Sequence, residues 1–248
     1  MSPSLIRGLS LAVFLGVWFI AAAVGGDPTV LPSPVQLVGP FLSELSSGEL
    51  LHHMGITILR VLAAFILAMS IGTALGLLMG SKPVVDRWLD PWLVVFLNLP
   101  ALVLIVLCYL WIGLSEVAAI TAVTLNKIPN VTTVIREGGR ALDPNLKAMA
   151  QVFRMRKSVY LRDVVLPQLA PFITAAARSG ISVIWKIVLV VEFLGRSNGV
   201  GFQIHLYFQL FDVAMVLVYS LTFIVFMLLV EWLFLQPLEL RVRAWRQA

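Results

Sequence analysis

Long apolar stretches recur along the whole chain, and polar or charged residues separate them. The stretches cover residues 9–25, 56–79, 92–113, 117–136, 171–194 and 213–235. At about 1.5 Å of rise per residue, each is long enough, or nearly so, to cross a hydrocarbon core of about 30 Å as a helix. The pattern therefore predicts an all-α polytopic membrane protein, with six transmembrane helices in one domain over residues 1–248.

The first stretch has a second interpretation. Arg7, the apolar run after it and Ala21-Ala22-Ala23 also resemble a secretory signal with a small-residue cleavage site. The loop that follows is external under either interpretation.

Charged residues predict the topology. Residues 26–55 contain no Lys or Arg and are expected outside, whereas residues 81–90 contain Lys82 and Arg87 and are expected inside. The segment 137–170 is the longest internal loop and is rich in Lys and Arg, and the tail holds Arg241, Arg243 and Arg246. This alternation predicts a multi-pass protein of a bacterial inner membrane with both termini in the cytoplasm.

Composition agrees with a membrane location. The chain is 60% hydrophobic and 12% charged, whereas soluble domains carry about 25% charged residues. The net charge of +5 does not indicate nucleic acid here, because the basic residues lie between apolar spans where they set topology. Cys108 is the only cysteine, so the chain has no internal disulfide. The adjacent His52 and His53 do not converge on one helix face, so no metal site is predicted.

A short amphipathic helix is predicted inside the internal loop, over residues 144–153. Asp143 can cap its free amides, and Pro144 suits the first helical position. Its apolar side chains at i, i+3, i+4 and i+7 are Leu146, Met149, Ala150 and Phe153, and a basic cluster beginning at Arg154 follows. A second helical stretch is expected over about 157–166, ending at Leu166-Pro167. The amphipathic helix alone fits either a membrane surface or a groove on a partner protein.

Several fragments occur in an order and spacing that resemble one family. They are Leu31-Pro32-Ser33-Pro34, residues 57–65, 72–80, 89–91 and 164–171, Glu192-Phe193-Leu194 and Gly199-Val200-Gly201. Together they resemble the binding-protein-dependent ABC importer permeases of the nitrate, taurine, aliphatic sulfonate and bicarbonate type. The resemblance implies the type I importer permease fold.

The same resemblance implies partners. They are a dimeric ABC ATPase that holds ATP and Mg, a second permease chain that is either identical or different, and an external solute-binding protein. Membrane lipid is a further expected partner of this chain. The helix with Leu146, Met149, Ala150 and Phe153 would dock into a groove on the ATPase.

The family's motif in this helix is Glu-Ala-Ala followed, after three residues, by Gly. In this chain the triplet falls on 148–150 without its Glu, and Arg154 replaces the Gly. Arg in a left-handed turn costs about 1–2 kcal/mol.

Catalytic motifs are missing from the sequence. No Gly-x-x-x-x-Gly-Lys-Ser/Thr phosphate loop occurs, and the glycine-rich residues 195–201 lack the lysine. No credible nucleophile set is present. The chain is therefore interpreted as a transport subunit that is not an enzyme and holds no cofactor, and ATP hydrolysis is expected on a separate chain.

Charged and polar residues inside the spans are the candidate solute pathway. They are Asn126, Lys127, Lys186 and Glu192. A charge inside a membrane costs at least about 2.5–3.5 kcal/mol on insertion scales, so such residues face a cavity or a partner. If both lysines face the pathway, the solute is expected to be a small anion or a zwitterion. If they pair within the protein, they are structural.

Two further alternatives stay open from the sequence. An ion-coupled secondary transporter or a channel would also use six spans but would need no ATPase. Gly72, Gly76 and Gly80 form a small-residue stripe that permits close helix packing, either inside one chain or between two chains.

Overall fold

The structure is a computed structural model that describes residues 3–235, and every regular element in that part of the chain is helical. The helices are α1 Pro3–Gly25, α2 Val38–Ser47, α3 Glu49–Ser81, α4 Pro83–Asn98, α5 Ala101–Ile112, α6 Glu116–Arg140, α7 Pro144–Val152, α8 Lys157–Tyr160, α9 Leu166–Gly195, α10 Val200–Gln209 and α11 Val213–Val230. π-helical turns occupy Leu161–Val165 and Glu231–Leu235. The basic residues predicted in the C-terminal tail lie outside the described residues.

Membrane-length helices account for most of the predicted spans. Among the described residues, four helices are long and apolar enough to cross a membrane, in α1, α3, Lys157–Gly195 and α11, and the bent pair α4 and α5 would make a fifth. The fourth predicted span lies in α6, which has 25 residues and is less apolar. About half of α6 is buried by other helices, so its polar residues need not contact lipid.

The third predicted span is wrong as a single straight helix. The chain breaks between α4 and α5, and the two helix axes meet at 98°. Leu99, which precedes Pro100, is extended with a ψ of 123°. A proline disfavours the helical conformation in the residue before it, which explains the break inside a continuous apolar run.

The predicted helix end at Leu166-Pro167 is also wrong. The chain stays helical from Lys157 to Gly195. Leu161–Val165 form a π-helical turn that ends two residues before Pro167. The wider turn shifts the backbone hydrogen-bond register, so the missing N–H of Pro167 does not end the helix.

Two compact units make up the described chain. The first joins the N-terminal segment up to Thr57 with Glu192–Met227, and the second joins Ile58–Val191 with the segment that begins at Leu228. The second unit has a core of small and branched side chains from α3, α5, α6 and α9, among them Ala64, Ile105, Val123, Ile184 and Val188.

The glycine stripe of α3 packs against α6 inside the second unit. A Cβ at Gly72 would lie 2.7 Å from the Val131 Cβ, and one at Gly76 would lie 2.6 Å from the Thr132 carbonyl oxygen. These distances leave no room for a side chain. Of the two alternatives, the stripe therefore serves packing within one chain.

Ion pairs hold the ends of α6. At its start, Arg60 of α3, which is 4% exposed, binds Glu116 at 2.5 Å. Near its end, Arg136 Nε lies 2.6 Å from Asp86, and Arg136 Nη1 lies 2.7 Å from Asp90, both on α4. These pairs fix α6 against α3 and α4 on either side of its polar middle.

Candidate functional site

The short helix of the internal loop begins where the sequence predicts. α7 starts at Pro144, and the Asp143 carboxylate accepts the Asn145 backbone N–H at 2.7 Å. The Asp143 N–H donates to the Gln168 side-chain oxygen at 2.9 Å, which ties the loop to α9. The predicted N-terminal cap is confirmed.

The C-terminal end of α7 closes with a left-handed residue. Arg154 has a φ of +49°. Its N–H donates to the Gln151 carbonyl at 3.1 Å, and the Met155 N–H donates to the Ala150 carbonyl at 3.0 Å. These two bonds define a Schellman motif, in which glycine is the usual left-handed residue. The expected left-handed turn is therefore present although Arg replaces Gly.

The predicted apolar stripe of α7 divides between two faces. Ala150 is buried and Leu146 is half-buried, so both contact this chain. Met149 is 41% exposed, Phe153 is 74% exposed, and Val152, which lies outside the predicted stripe, is 79% exposed. The apolar surface available to a partner is thus Met149, Val152 and Phe153, which we call the docking face. The docking role stays a prediction.

We expect Arg154→Gly to stabilise the chain. Glycine removes the left-handed strain, worth about 1–2 kcal/mol, but loses backbone entropy, so the net gain should be about 0.5–1 kcal/mol. Thermal unfolding of the purified full chain measures it. The matched control is Lys147→Gly, at an exposed position inside α7. Glycine at this helical position should lower the stability of the folded chain by about 1 kcal/mol. Equal losses in both variants would show that the turn is not strained.

Lys127 is the buried cation of the second unit. It lies in α6, is 3% exposed, and its Nζ is 3.4 Å from the Ser179 carbonyl oxygen on α9. Within residues 3–235 no carboxylate pairs with it. A single long hydrogen bond leaves most of its donor capacity unused. Lys127 therefore joins α6 to α9 and has unused N–H donors that an anion could accept.

A polar face runs along α6 beside Lys127. Asn126 and Thr133 are half-buried, and Asn130 and Glu137 are exposed. Their spacing of i, i+4, i+7 and i+11 puts all four on one side of the helix. Such a face is costly against lipid, so in a membrane it must meet a water-filled pathway or another chain.

α9 also exposes polar groups. Ser179 and Lys186 are exposed, and Ser182 is half-buried. The Lys186 Nζ lies 5.5 Å from the centroid of the Trp185 ring, within the range of a cation–π interaction. Arg178 lies one turn from Ser182 and 3.8 Å from Glu231. Arg178 was not among the predicted pathway residues, although it also lies inside a predicted span, as Lys186 does.

Glu192 belongs to the first unit and is fully buried. Its Oε2 accepts the Thr57 hydroxyl at 2.9 Å and the Gly201 N–H at 2.9 Å. The Thr57 hydroxyl oxygen also accepts the Val200 N–H at 2.9 Å, and His53 Nδ1 accepts the Gly199 N–H at 3.0 Å. Three successive amides at the start of α10 are thus bound by three side chains.

These contacts give Glu192 a positioning role. A carboxylate that binds the free N–H groups at a helix start is stabilised by the helix dipole and satisfies donors that would otherwise be unpaired. No sequence pattern links Glu192 with His53 or Thr57, which are distant along the chain. Its predicted contact with solute stays a prediction.

Residues 71–236 match the family described as the binding-protein-dependent transport system inner membrane component. A permease of Bacillus subtilis named for aliphatic sulfonates transport is 32% identical over 201 residues, covering 80% of this chain and 73% of that protein. The nitrate import permease of Synechocystis is 28% identical over 216 residues, covering 82% of this chain and 77% of that protein.

Solved structures share the fold. The methionine ABC transporter MetNI in an inward-facing conformation has a TM-score of 0.60 at 18% identity, covering 76% of this chain and 92% of that chain. An amino acid ABC transporter has a TM-score of 0.60 at 22% identity, covering 81% of this chain and 98% of that chain. The predicted all-helical permease fold is confirmed.

Proposed function

Because this chain belongs to the family of binding-protein-dependent transport system inner membrane components, we propose that it is the permease subunit of an ATP-driven importer for a small anionic or zwitterionic solute. It would work with a dimeric ABC ATPase, a second permease chain and an external solute-binding protein. It spans the inner membrane and contributes no catalytic residue to ATP hydrolysis.

The docking face carries the proposal. Met149, Val152 and Phe153 are exposed on α7, between Asp143, which caps its start, and Arg154, which turns the chain sharply after its end. An exposed apolar patch on a short helix that is capped at both ends is typical of helix-in-groove recognition. The test is purification of the tagged full chain from its own membranes. Recovery of an ATPase with measurable ATP hydrolysis is expected, and recovery of the chain alone with intact fold would contradict it.

The solute class rests on the polar surface of α6 and α9. Lys186 is exposed there, Lys127 is buried between the two helices, and Asn126 and Ser179 supply hydrogen-bonding groups. A cationic lining favours anions such as a sulfonate, nitrate, bicarbonate or a carboxylate, and a zwitterion also offers an anionic group. The two named relatives transport sulfonates and nitrate by their names, which points the same way.

We expect Lys127→Gln with Lys186→Gln to lower uptake of a sulfonate or nitrate by at least about tenfold, because each lost charge–anion contact removes roughly 1.5–3 kcal/mol. The measurement is initial uptake by the reconstituted complex at subsaturating solute. The matched control is Lys82→Gln, which removes an exposed lysine before α4 and should leave uptake unchanged. Normal uptake in the double variant, with normal ATP hydrolysis, would make both lysines structural.

The alternative is an ion-coupled secondary transporter or a channel that works without an ATPase. Such a protein would use the same polar surface of α6 and α9, but no ATPase would bind the docking face of α7. Uptake that persists after the docking face is removed would favour it.

A further inference from the structure

His53 is a buried titratable side chain that the proposed transport function does not use. It lies one turn after the start of α3 and is 6% exposed, whereas the adjacent His52 is exposed. Its ring packs beside Phe202 of α10 and Tyr219 of α11, with ring centroids 6.3 Å apart in each pair. Helices of the first unit therefore enclose an imidazole that has little contact with water.

The hydrogen bonds of the His53 ring define its protonation state. The Nδ1 atom accepts the Gly199 N–H at 3.0 Å, and a ring nitrogen that accepts a hydrogen bond carries no proton. The ring is therefore neutral, with its single N–H on Nε2. Nε2 lies 2.6 Å from the Gln203 side-chain amide and 3.4 Å from a carboxylate oxygen of Glu49. The contact that holds Gly199 at the start of α10 thus requires neutral His53.

Protonation of His53 would reverse the role of Nδ1. A protonated imidazole donates from both nitrogens, so its new N–H would point at the Gly199 N–H. Two donors form no hydrogen bond, and the buried Gly199 N–H would lose its acceptor. The next two amides would keep their acceptors, which are Thr57 and Glu192. Acid would therefore loosen the start of α10 at Gly199 and leave the rest of its cap in place.

Acidic side chains near His53 would stabilise its protonated form. The titratable groups gathered around its ring are Glu44 of α2, His52 and Glu49 of α3, Glu192 of α9, Tyr207 of α10 and Tyr219 of α11. Three of these six are carboxylates, and His52 would oppose a positive charge. Glu49 is already 3.4 Å from Nε2, so a charged ring has an ion-pair partner on its own helix.

We propose that His53 is a pH switch for the loop 196–199, which joins α9 to α10. Neutral His53 holds Gly199, whereas protonated His53 forms an ion pair with Glu49 and releases the loop. Histidine changes its charge between about pH 5 and 8, and the loop charges predict that residues 26–55, with His53, lie outside. The switch would therefore respond to the external pH. It depends on neither the solute nor the ATPase of the proposed function.

The test is hydrogen exchange of the purified full chain at about pH 8 and about pH 5, measured by mass spectrometry in peptides that cover residues 196–203. Exchange is corrected for the intrinsic effect of pH on unprotected amides. Protection of this segment in the wild type should fall by about tenfold at the lower pH, because a buried N–H loses its acceptor. Unchanged protection in the wild type would overturn the proposal.

His53→Asn separates the switch from other acid effects. It places a side-chain oxygen near the position of Nδ1, and this oxygen accepts the Gly199 N–H but does not titrate. Protection of residues 196–203 in this variant should therefore be equal at both pH values. An acid-induced fall as large as that of the wild type would assign the effect to another group, such as Glu192, and would overturn the proposal.

Two further variants keep the test decisive if His53→Asn folds poorly. His52→Asn removes the adjacent exposed histidine and should keep the acid-induced fall. Glu49→Gln removes the partner of protonated His53, so the midpoint of the fall should move to lower pH by about half a pH unit. A purely structural role for His53 would leave this midpoint unmoved. An unmoved midpoint in Glu49→Gln, or loss of the fall in His52→Asn, would overturn the proposal.

Discussion

Gly199→Ala is expected to prevent accumulation of the folded chain. Gly199 has a φ of +104°, which an L-residue rarely adopts, and an added Cβ would lie 2.5 and 2.6 Å from the two carboxylate oxygens of Glu192. The substitution therefore combines backbone strain with displacement of a buried carboxylate that caps α10. We expect a loss of about 3–5 kcal/mol, which is a large part of the stability of a typical domain.

The measurement is the yield and thermal midpoint of monodisperse full chain after membrane extraction. Gly48→Ala is the matched control, because Gly48 has a φ of +83° but nothing lies within 4 Å of an added Cβ. Gly48→Ala therefore measures the backbone strain alone, which should cost about 1 kcal/mol of folding stability. Thr57→Val should also destabilise the folded chain strongly. It leaves the Val200 N–H without its acceptor and removes the hydrogen bond from the Thr57 hydroxyl to Glu192. Equal, small effects at Gly199 and Gly48 would contradict the positioning role of Glu192.

Phe153→Asp is expected to abolish coupling to the ATPase while leaving the chain folded. Phe153 is 74% exposed, so its replacement costs the isolated chain little. In a groove, a buried aromatic anchor contributes roughly 2–4 kcal/mol, and a carboxylate in its place adds a desolvation cost. Affinity for the ATPase should therefore fall by at least about thirtyfold.

Two readouts separate coupling from folding. Binding is followed by co-purification, and coupling by the solute-stimulated part of ATP hydrolysis. Phe153→Leu keeps an apolar side chain and should restore most of both. Wild-type assembly and stimulation in Phe153→Asp would show that the docking face has another use.

Local sequence signals predicted much of the fold. The apolar runs gave the helices, and Asp143 with Pro144 gave the start of α7, because both features depend on neighbouring residues only. The break before Pro100 was missed since the apolar run continues through it. The rule that a residue before proline avoids the helical conformation offered a signal, and the extended Leu99 obeys it.

The candidate site was less predictable because its contacts are distant in sequence. Glu192 and Thr57 are 135 positions apart, and no periodicity links them. The sequence pattern of α7 predicts an amphipathic helix, but it cannot show which side of that helix packs against the rest of the chain. The chain buries Ala150 and exposes Val152, which makes the docking face different from the predicted stripe.

The most direct test of the transport proposal is solute uptake into vesicles that contain this chain with its co-purified ATPase and the external binding protein. We predict that sulfonate or nitrate accumulates only when both ATP and the binding protein are supplied, that ionophores do not prevent accumulation, and that Phe153→Asp eliminates it. Accumulation by this chain without the ATPase, driven by an imposed ion gradient and unaffected by Phe153→Asp, would contradict the proposal.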